Sequence, residues 1–231
     1  MRIYLVNPFR RPVFPEGLVP GENGLVAIGG VLSPEIVLEA YSKGIFPWTG
    51  EHPIPWFSPD PRAVLVPGEI KVTRSMRQVL RQERYQIRFD TDFSGVIYRC
   101  ATIPRPGQDG TWITPNMLQT WCQLFEMGYS HSVEAYDDNG ELVGGLYGMA
   151  MGRAFFGESM FSSAPNASKA ALITLCRRLD ELGFDFIDCQ QDTDHLRRMG
   201  SQTVSHPQFL DMLRHALSDG AGPTVLDPLA S

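Results

Sequence analysis

The chain has 231 residues, 43% of them hydrophobic and 20% charged, so it is long enough to bury a core as one domain or as two unequal ones. Its net charge of -6 argues against indiscriminate binding to nucleic acid, although a local basic surface remains possible. No stretch approaches the roughly 18 to 20 apolar residues of a membrane span, so we expect a cytoplasmic protein without a membrane partner.

The four cysteines lie far apart in the sequence and form no C-x-x-C pair. Zinc sites and disulfide frameworks normally show closer spacing. We therefore expect no metal site, and we interpret the cysteines as reduced and mostly buried side chains: Cys100, Cys122, Cys176 and Cys189.

Residues 1–66 are rich in proline, glycine and aromatic residues, and we interpret them as a small N-terminal domain that precedes a larger domain over residues 67–231. In this region Ser33-Pro34-Glu35 supplies a capping residue, a proline at the first helical position and an acid in the first turn. This pattern predicts a helix over about residues 34–43. In the following loops, Trp48 and Trp56 either fill the seam between the two parts of the chain or contact a ligand.

A basic helix is predicted after residue 71. Its arginines recur every three or four residues and form one stripe, while apolar residues between them face a core. A stripe of one sign is either a solvated helix face or a surface that binds phosphate groups, and both interpretations stay open. The stripe consists of Arg74, Arg77, Arg81 and Arg84.

The sequence pattern in the middle of the chain predicts a helix and a hairpin. Thr114 caps a helix with Pro115 at its first position, after a loop over residues 103–110. Residues 130–136 and 142–151 are predicted to form the two strands of a hairpin, and the glycines of the second strand suggest a bulge or a close approach by another chain or a ligand. We expect the last dozen residues to form a loose tail.

Residues 153–190 are the most informative stretch. A strand ends at Phe161, a helix capped by Asn166 follows, and a second strand over residues 184–189 should lie parallel to its neighbour because a helix separates them. Glu158 and Asp188 lie in otherwise apolar runs near the ends of these strands. Because buried carboxylates need partners, this β-α-β unit predicts a site.

Several strings, in order over roughly residues 20–215, resemble those of the bacterial leucyl/phenylalanyl-tRNA-protein transferases. Together they are highly specific, although no single string would be. The strings are Gly44-Ile-Phe-Pro-Trp48, Trp56-Phe-Ser-Pro-Asp-Pro-Arg62, Gly110-Thr-Trp-Ile-Thr114, Gly157-Glu-Ser-Met-Phe161, Asn166-Ala-Ser-Lys169 and Ile187-Asp-Cys-Gln190.

The resemblance implies an α+β fold, with a GNAT-like (acetyltransferase-like) mixed β-sheet domain flanked by helices and preceded by the small N-terminal α/β domain. It implies transfer of leucine, phenylalanine or, less well, methionine from its tRNA to the α-amine of a protein that begins with Arg or Lys. The product would enter the bacterial N-degron route. The resemblance implies no metal and no organic cofactor, and we expect a monomer.

The resemblance also implies roles for individual residues. Asp188 and Gln190 match the catalytic pair: Gln190 would orient the attacking amine, and Asp188 would polarise Gln190 or take the proton, unless it only caps the strand end. Glu158 is a third candidate catalytic residue on chemical grounds: selection of a basic acceptor needs a negative receptor, so its carboxylate would receive the cationic group of the acceptor, unless it forms a salt bridge with Arg153 or Lys169.

The remaining roles concern the donor. The aminoacyl side chain would enter a pocket whose members would also suit an ordinary core: Leu146, Phe155, Met160, Leu175 and Ile187. Trp48 and Trp112 match aromatic residues expected to stack on the terminal adenosine, and the arginine stripe would hold the acceptor-stem backbone.

Two other functions are compatible with parts of this pattern. An acyl-CoA-dependent N-acyltransferase of the same fold would hold pyrophosphate on a glycine-rich turn, but the turn over residues 161–168 contains no glycine. A non-catalytic RNA-binding module would use the arginines and tryptophans, but it would leave Glu158, Asp188 and Gln190 without a purpose.

Overall fold

The computed structural model describes residues 3–104, 111–220, 222 and 226. Most of the predicted tail and of the loop over residues 103–110 lies outside these ranges. The helices are α1 Pro34–Ser42, α2 Arg74–Arg81, α3 Phe93–Thr102, α4 Pro115–Glu126, α5 Ala167–Glu181, α6 Asp194–Met199 and α7 His206–Ala216. The strands are β1 Tyr4–Val6, β2 Leu25–Gly29, β3 Phe46–Pro47, β4 Pro55–Phe57, β5 Arg62–Leu65, β6 Gln86–Phe89, β7 Ser130–Tyr136, β8 Leu142–Met151, β9 Ala154–Ser162, β10 Phe186–Gln190 and β11 Gln202–Val204.

A four-stranded sheet in the order β1-β2-β4-β3 organises the N-terminal part. Trp56 of β4 is fully buried, its indole N–H donates to the Gly29 carbonyl at 2.9 Å, and its ring lies 4.9 Å from that of Phe14. Of the two interpretations of this tryptophan, the structure therefore favours a packing role.

A seven-stranded sheet in the order β11-β5-β10-β9-β8-β7-β6 forms the larger layer. β9 and β10 run parallel, as the intervening helix predicts, and every other neighbouring pair is antiparallel. The result is a mixed α+β fold. β5 lies inside this sheet although it precedes residue 66, and the predicted division of the chain into domains stays a prediction.

Capping residues explain where two of the helices begin. The Ser33 hydroxyl accepts a hydrogen bond from the Ile36 amide at the start of α1, and Thr114 does the same for Met117 in α4. Asn166 is the N-cap residue of α5, as predicted, but it adopts a left-handed conformation with φ of 69°, and its side chain makes no capping hydrogen bond.

The predicted arginine stripe is longer than the helix that carries it. α2 ends at Arg81, and Glu83 adopts a left-handed conformation with φ of 48° as the chain turns toward β6. Arg84 therefore lies beyond the helix, and its placement on the stripe is wrong. Met76 and Val79 are buried on the opposite face of α2, as the spacing predicts.

The irregular pairing at Gly148 of β8 agrees with the predicted bulge, whereas the segment that closely approaches Gly144 is this chain's own helix α5 and not another chain or a ligand. A Cβ at Gly144 would lie 2.5 Å from the Cβ of Ala167, so glycine lets α5 pack directly on the strand. At Gly148 the register with β9 shifts, and a Cβ there would lie 2.3 Å from the Phe156 carbonyl. Both glycines are therefore required by packing.

The two faces of the large sheet bury separate cores. Phe156 and Phe186 face a core shared with the small sheet, α1, α3 and α4, while their neighbours Phe155 and Ile187 face a core with α2 and α5. Within the described ranges, no helix combines the length and the apolar character that crossing a membrane requires.

Candidate active site

A cleft opens where β9 and β10 separate. Their parallel register ends at Phe156 opposite Asp188, and the pairing of β10 with β5 is irregular between Asp188 and Gln190. Gln190 adopts a left-handed conformation with φ of 61°, which turns the chain away from β9. A cavity of about 350 Å³ lies at this point, a volume in the range of small-molecule sites.

The apolar part of the cavity contains every residue predicted for the aminoacyl pocket. Strands β8, β9 and β10 and helix α5 supply them, so the predicted residues come together as a group. They are Leu146, Phe155, Met160, Leu175 and Ile187. Leu172 also lines the cavity and was missed, although it lies one turn before Leu175 on the same face of α5.

Both tryptophans predicted to contact the adenosine line the same cavity. Trp48 is 42% exposed and packs on Phe46 and Phe57, at ring distances of 6.4 Å and 5.2 Å. Trp112 is partly buried. An exposed indole supported from behind by two aromatic rings gives a flat surface on which a nucleobase can stack.

Glu158 lies at the polar end of the cavity and accepts two hydrogen bonds. Its Oε1 atom accepts from the Tyr41 hydroxyl at 2.6 Å and from Gln190 Nε2 at 3.4 Å. The alternative salt bridges do not form, since Arg153 pairs with Asp185 and Asp219 while Lys169 donates to Asn166 Oδ1. The carboxylate therefore remains available to a ligand.

Burial, with a smaller contribution from the nearby negative charge of Asp188, raises the pKa of Glu158 from 4.5 to about 8. The hydrogen bonds from Tyr41 and Gln190 and the charge of Arg62 oppose this increase. Burial and the Glu158 carboxylate raise the pKa of Tyr41 well above its usual value, so its hydroxyl stays protonated and can donate.

Asp188 is held behind the cavity by Arg62. Arg62 Nε and Nη2 donate to the two Asp188 carboxylate oxygens at 2.8 Å and 2.6 Å, and both side chains are almost completely buried. The guanidinium lies between the rings of Phe46 and Phe209, at 4.8 Å and 4.4 Å from their centres. Asp188 Oδ1 also accepts from the Gln190 backbone N–H at 2.9 Å.

Arg62 and Tyr41 are the main members of the site that sequence reasoning missed. Arg62 lies within one of the resembling strings but more than a hundred residues before its partner, and Tyr41 lies in an ordinary amphipathic helix. No local pattern signals either contact.

His195 and Cys189 also line the cavity. His195 Nε2 is buried and makes no hydrogen bond to any residue that the structure describes. Burial lowers the pKa of His195, as do the charges of Lys169 and Arg198, so the ring is neutral near pH 7. Burial raises the pKa of the Cys189 thiol, followed by the charge of Asp188, which makes this cysteine an apolar wall rather than a nucleophile.

The arginines of α2 line a second depression, of about 410 Å³, together with Arg177 of α5. Arg74, Arg77 and Arg81 contribute to it, whereas Arg84 does not. None of these lining guanidinium groups forms an ion pair with a carboxylate in the described part of the chain. A group of cations from two helices without such partners can attract a polyanionic ligand.

The described residues around the cavity and the arginine depression do not indicate a metal site. Across the ranges given above, no three or more His, Cys, Asp or Glu side chains are grouped so that they could hold a metal ion. Cys100 and Cys176 are buried, whereas Cys122 and Cys189 are partly buried.

Comparison with known proteins identifies the family. The profile of the leucyl/phenylalanyl-tRNA protein transferase family matches residues 64–214, and the profile of its N-terminal domain matches residues 30–60. The chain belongs to this family. The predicted resemblance is thus confirmed, and the matched ranges contain Glu158, Asp188, Gln190 and the arginines of α2.

Relatives with the name leucyl/phenylalanyl-tRNA–protein transferase match most of the chain. The protein from Pseudomonas putida (strain W619) is 56% identical over 196 residues, which are 84% of this chain and 86% of the relative. The protein from Myxococcus xanthus (strain DK1622) is 48% identical over 220 residues, 95% of this chain and 94% of the relative.

Among solved structures, L-PGS from Bacillus licheniformis aligns with 82% of this chain and 72% of its own, at a TM-score of 0.46 and 12% identity.

The raised pKa of Glu158 predicts a pH-dependent stability. Between its ordinary pKa of 4.5 and the folded value of about 8, the folded chain keeps a proton that the unfolded chain has lost, so raising the pH through this window favours unfolding. Replacing Glu158 with Gln removes this contribution. We therefore expect the free energy of unfolding, measured with urea, to fall less between pH 5 and pH 8 in Glu158→Gln than in the wild type.

Glu141→Gln serves as the control, because Glu141 lies exposed in the turn between β7 and β8. This variant should keep the wild-type dependence on pH. Identical slopes for all three proteins would contradict the raised pKa of Glu158.

Proposed function

We propose that this chain transfers leucine or phenylalanine from its tRNA to the α-amine of proteins that begin with Arg or Lys. One observation carries the proposal: a single cavity joins an apolar pocket, two tryptophans and the hydrogen-bonded pair of Glu158 and Gln190. An aminoacyl side chain, an adenine and an amine can each find a matching surface there. Methionine would be a poorer donor.

The reaction is the aminolysis of an ester. The neutral α-amine attacks the aminoacyl carbonyl, a C–N bond forms, the bond to the 3′-oxygen of the terminal adenosine breaks, and a proton passes from the amine to that oxygen. An α-amine with a pKa of about 7.7 to 8.0 is partly neutral in the cytoplasm. Because the ester is already activated, alignment of the reactants can supply much of the rate.

The donor would bind across the length of the cavity. Its side chain would enter the apolar pocket, where Leu172 extends the wall that Leu175 and Ile187 form. The adenine would stack near Trp48 and Trp112, a contact worth about 1 to 3 kcal/mol per base. This arrangement recognises the amino acid and the single-stranded end of the tRNA.

The arginine depression would hold the phosphate backbone of the tRNA without reading its sequence. Arg177 of α5 lines the depression together with the three arginines of α2, so two helices would contact the phosphate backbone of the tRNA. This role applies less directly to Arg84, which lies outside the depression.

Gln190 would orient the attacking amine. Its side-chain N–H donates to Glu158, which leaves the amide oxygen able to accept a hydrogen bond from the amine. Asp188 would act through Gln190 rather than as a base, because both of its oxygens are occupied by Arg62 in a buried pair. Its bond to the Gln190 backbone N–H supports the left-handed turn that directs Gln190 into the cavity.

Glu158 would receive the cationic group of the acceptor. An arriving guanidinium or ammonium favours the ionised carboxylate and would lower the raised pKa of Glu158. Tyr41 would keep the carboxylate aligned for this contact through its hydrogen bond to Oε1. A receptor of this kind explains a preference for acceptors that begin with a basic residue.

The finer features expected from the resemblance complete the proposal. The larger sheet would be GNAT-like, which the parallel β9 and β10 pair and the separation of these strands support. The protein would act as a cytoplasmic monomer, and its products would be degraded through the bacterial N-degron route.

The proposal predicts transfer of labelled leucine from Leu-tRNA to a peptide that begins with Arg, and little transfer to a matched peptide that begins with Ala. Gln190→Ala should lower the rate at least about 100-fold, because the amine loses the group that positions it. Absence of transfer to either peptide, from folded protein that binds tRNA, would favour the RNA-binding module instead.

The arginine depression predicts how tRNA binding responds to salt. Replacing Arg77 and Arg81 with Ala should reduce the slope of log Kd against log salt by about 2, and Arg177→Ala should reduce it by about 1, since each removes a phosphate contact. Arg99→Ala with Arg214→Ala removes the same charge from α3 and α7 and should leave the slope unchanged. Equal slopes in all variants would contradict this assignment.

A further inference from the structure

We infer that Gly157 is a substrate-contact position, where the absence of a side chain gives the aminoacyl ester room between the apolar pocket and Glu158. The inference rests on the proposed function and deepens it. It adds to the site a residue that has neither a charge nor a side chain.

The protein itself does not require glycine at this position. Gly157 lies within the extended strand β9 and is absent from the residues with positive φ. A Cβ there would lie 3.6 Å from the Asp188 carbonyl oxygen and 3.8 Å from Ile187 Cγ2, which are ordinary van der Waals distances. An alanine would therefore fit the backbone and its neighbours.

Other glycines of the sheet behave differently. A Cβ would lie 2.5 Å from Ala167 Cβ at Gly144, and 2.3 Å from the Phe156 carbonyl oxygen at Gly148, distances that real side chains do not reach. Packing explains those two glycines. It does not explain Gly157: this residue flanks the extra residue Glu158 in the pairing of β9 with β8, yet its φ is not positive and a Cβ would make only ordinary contacts, so the reason for glycine is one that a ligand can supply.

The cavity supplies that reason. Gly157 lines it and directly follows Phe156, the last residue of β9 in register with β10. The atoms nearest to a methyl group there are Cγ2 of Ile187, which lines the apolar pocket, and the backbone oxygen of Asp188. The side chain of Asp188 accepts a hydrogen bond from the Gln190 backbone N–H. The methyl group would thus stand at the junction of the apolar pocket and the polar pair.

The reacting carbonyl must lie at the same junction. The aminoacyl side chain extends from it into the apolar pocket, and the attacking amine approaches it from Gln190. A ligand group can approach the strand closely only if no Cβ intervenes. Glycine at position 157 therefore allows the ester to reach the geometry of attack.

The test compares two glycine-to-alanine variants. Gly157→Ala should keep the thermal midpoint of unfolding, lower kcat/KM for leucine transfer to the Arg peptide at least about 100-fold, and weaken binding of 3′-leucylamino-3′-deoxyadenosine about 10-fold or more. This amide analogue of the donor does not react, so it reports occupancy of the cavity alone.

Gly183→Ala is the matched control. Gly183 follows α5 with φ of 74°, a Cβ added to it would meet no atom within 4 Å, and it does not line the cavity. Alanine there is strained, so this variant should unfold at a lower temperature, while the folded protein transfers leucine at the wild-type rate. Gly157→Ala should thus lose leucine transfer and keep its stability, whereas Gly183→Ala should lose stability and keep transfer.

Two results would overturn the inference: wild-type transfer and analogue binding by Gly157→Ala, or a failure of Gly157→Ala to fold. The second would assign the glycine to packing. If the wild-type protein itself neither binds the analogue nor transfers leucine, the proposed function fails, and the inference fails with it. Wild-type activity that survives in Gly157→Ala contradicts the inference alone.

Discussion

The buried ion pair of Arg62 and Asp188 is the interaction on which the site depends. It joins β5 to β10 within the large sheet, and the rings of Phe46 and Phe209 cover its guanidinium. Removing one member of such a pair typically costs about 3 to 5 kcal/mol, because the other charge stays buried without a partner. The same carboxylate accepts from the Gln190 backbone, so the pair also supports the turn at which β10 leaves β9. One interaction thereby stabilises the sheet and supports the turn that places Gln190 at the cavity.

Side chains along β9 and β10 alternate between the two faces of the sheet, so each face contributes different residues to the site. Phe155 and Ile187 face α5 and form part of the apolar pocket. Glu158 contacts Tyr41 of α1 on the other side, next to the N-terminal part of the chain. The cavity lies at the strand ends, where both sets of side chains become accessible to one ligand. The N-terminal part is therefore a component of the site, since it supplies Tyr41, Phe46 and Trp48.

Local signals and long-range contacts differ in how well the sequence predicts them. Capping residues predicted the starts of α1 and α4, and the intervening helix predicted the parallel pair of β9 and β10, because these features depend on neighbouring residues. The resemblance brought together residues that do line one cavity. Neither source predicted the contact of Arg62 with Asp188, that of Tyr41 with Glu158, or the place of Arg177, since each joins distant segments. The arginine spacing placed Arg84 on a helix that ends before it, because spacing alone does not show where a helix stops.

We propose that Asp188 acts on the reaction only by positioning Gln190. A double-mutant cycle on kcat/KM for leucine transfer tests it most directly, with Asp188→Asn, Gln190→Ala and the combined variant, each checked for folding. We predict that the combined variant is no slower than Gln190→Ala within a factor of about 2, because a residue that acts through Gln190 has nothing left to position. Losses that multiply in the combined variant would show that Asp188 acts independently, for example as a base, and would contradict the claim.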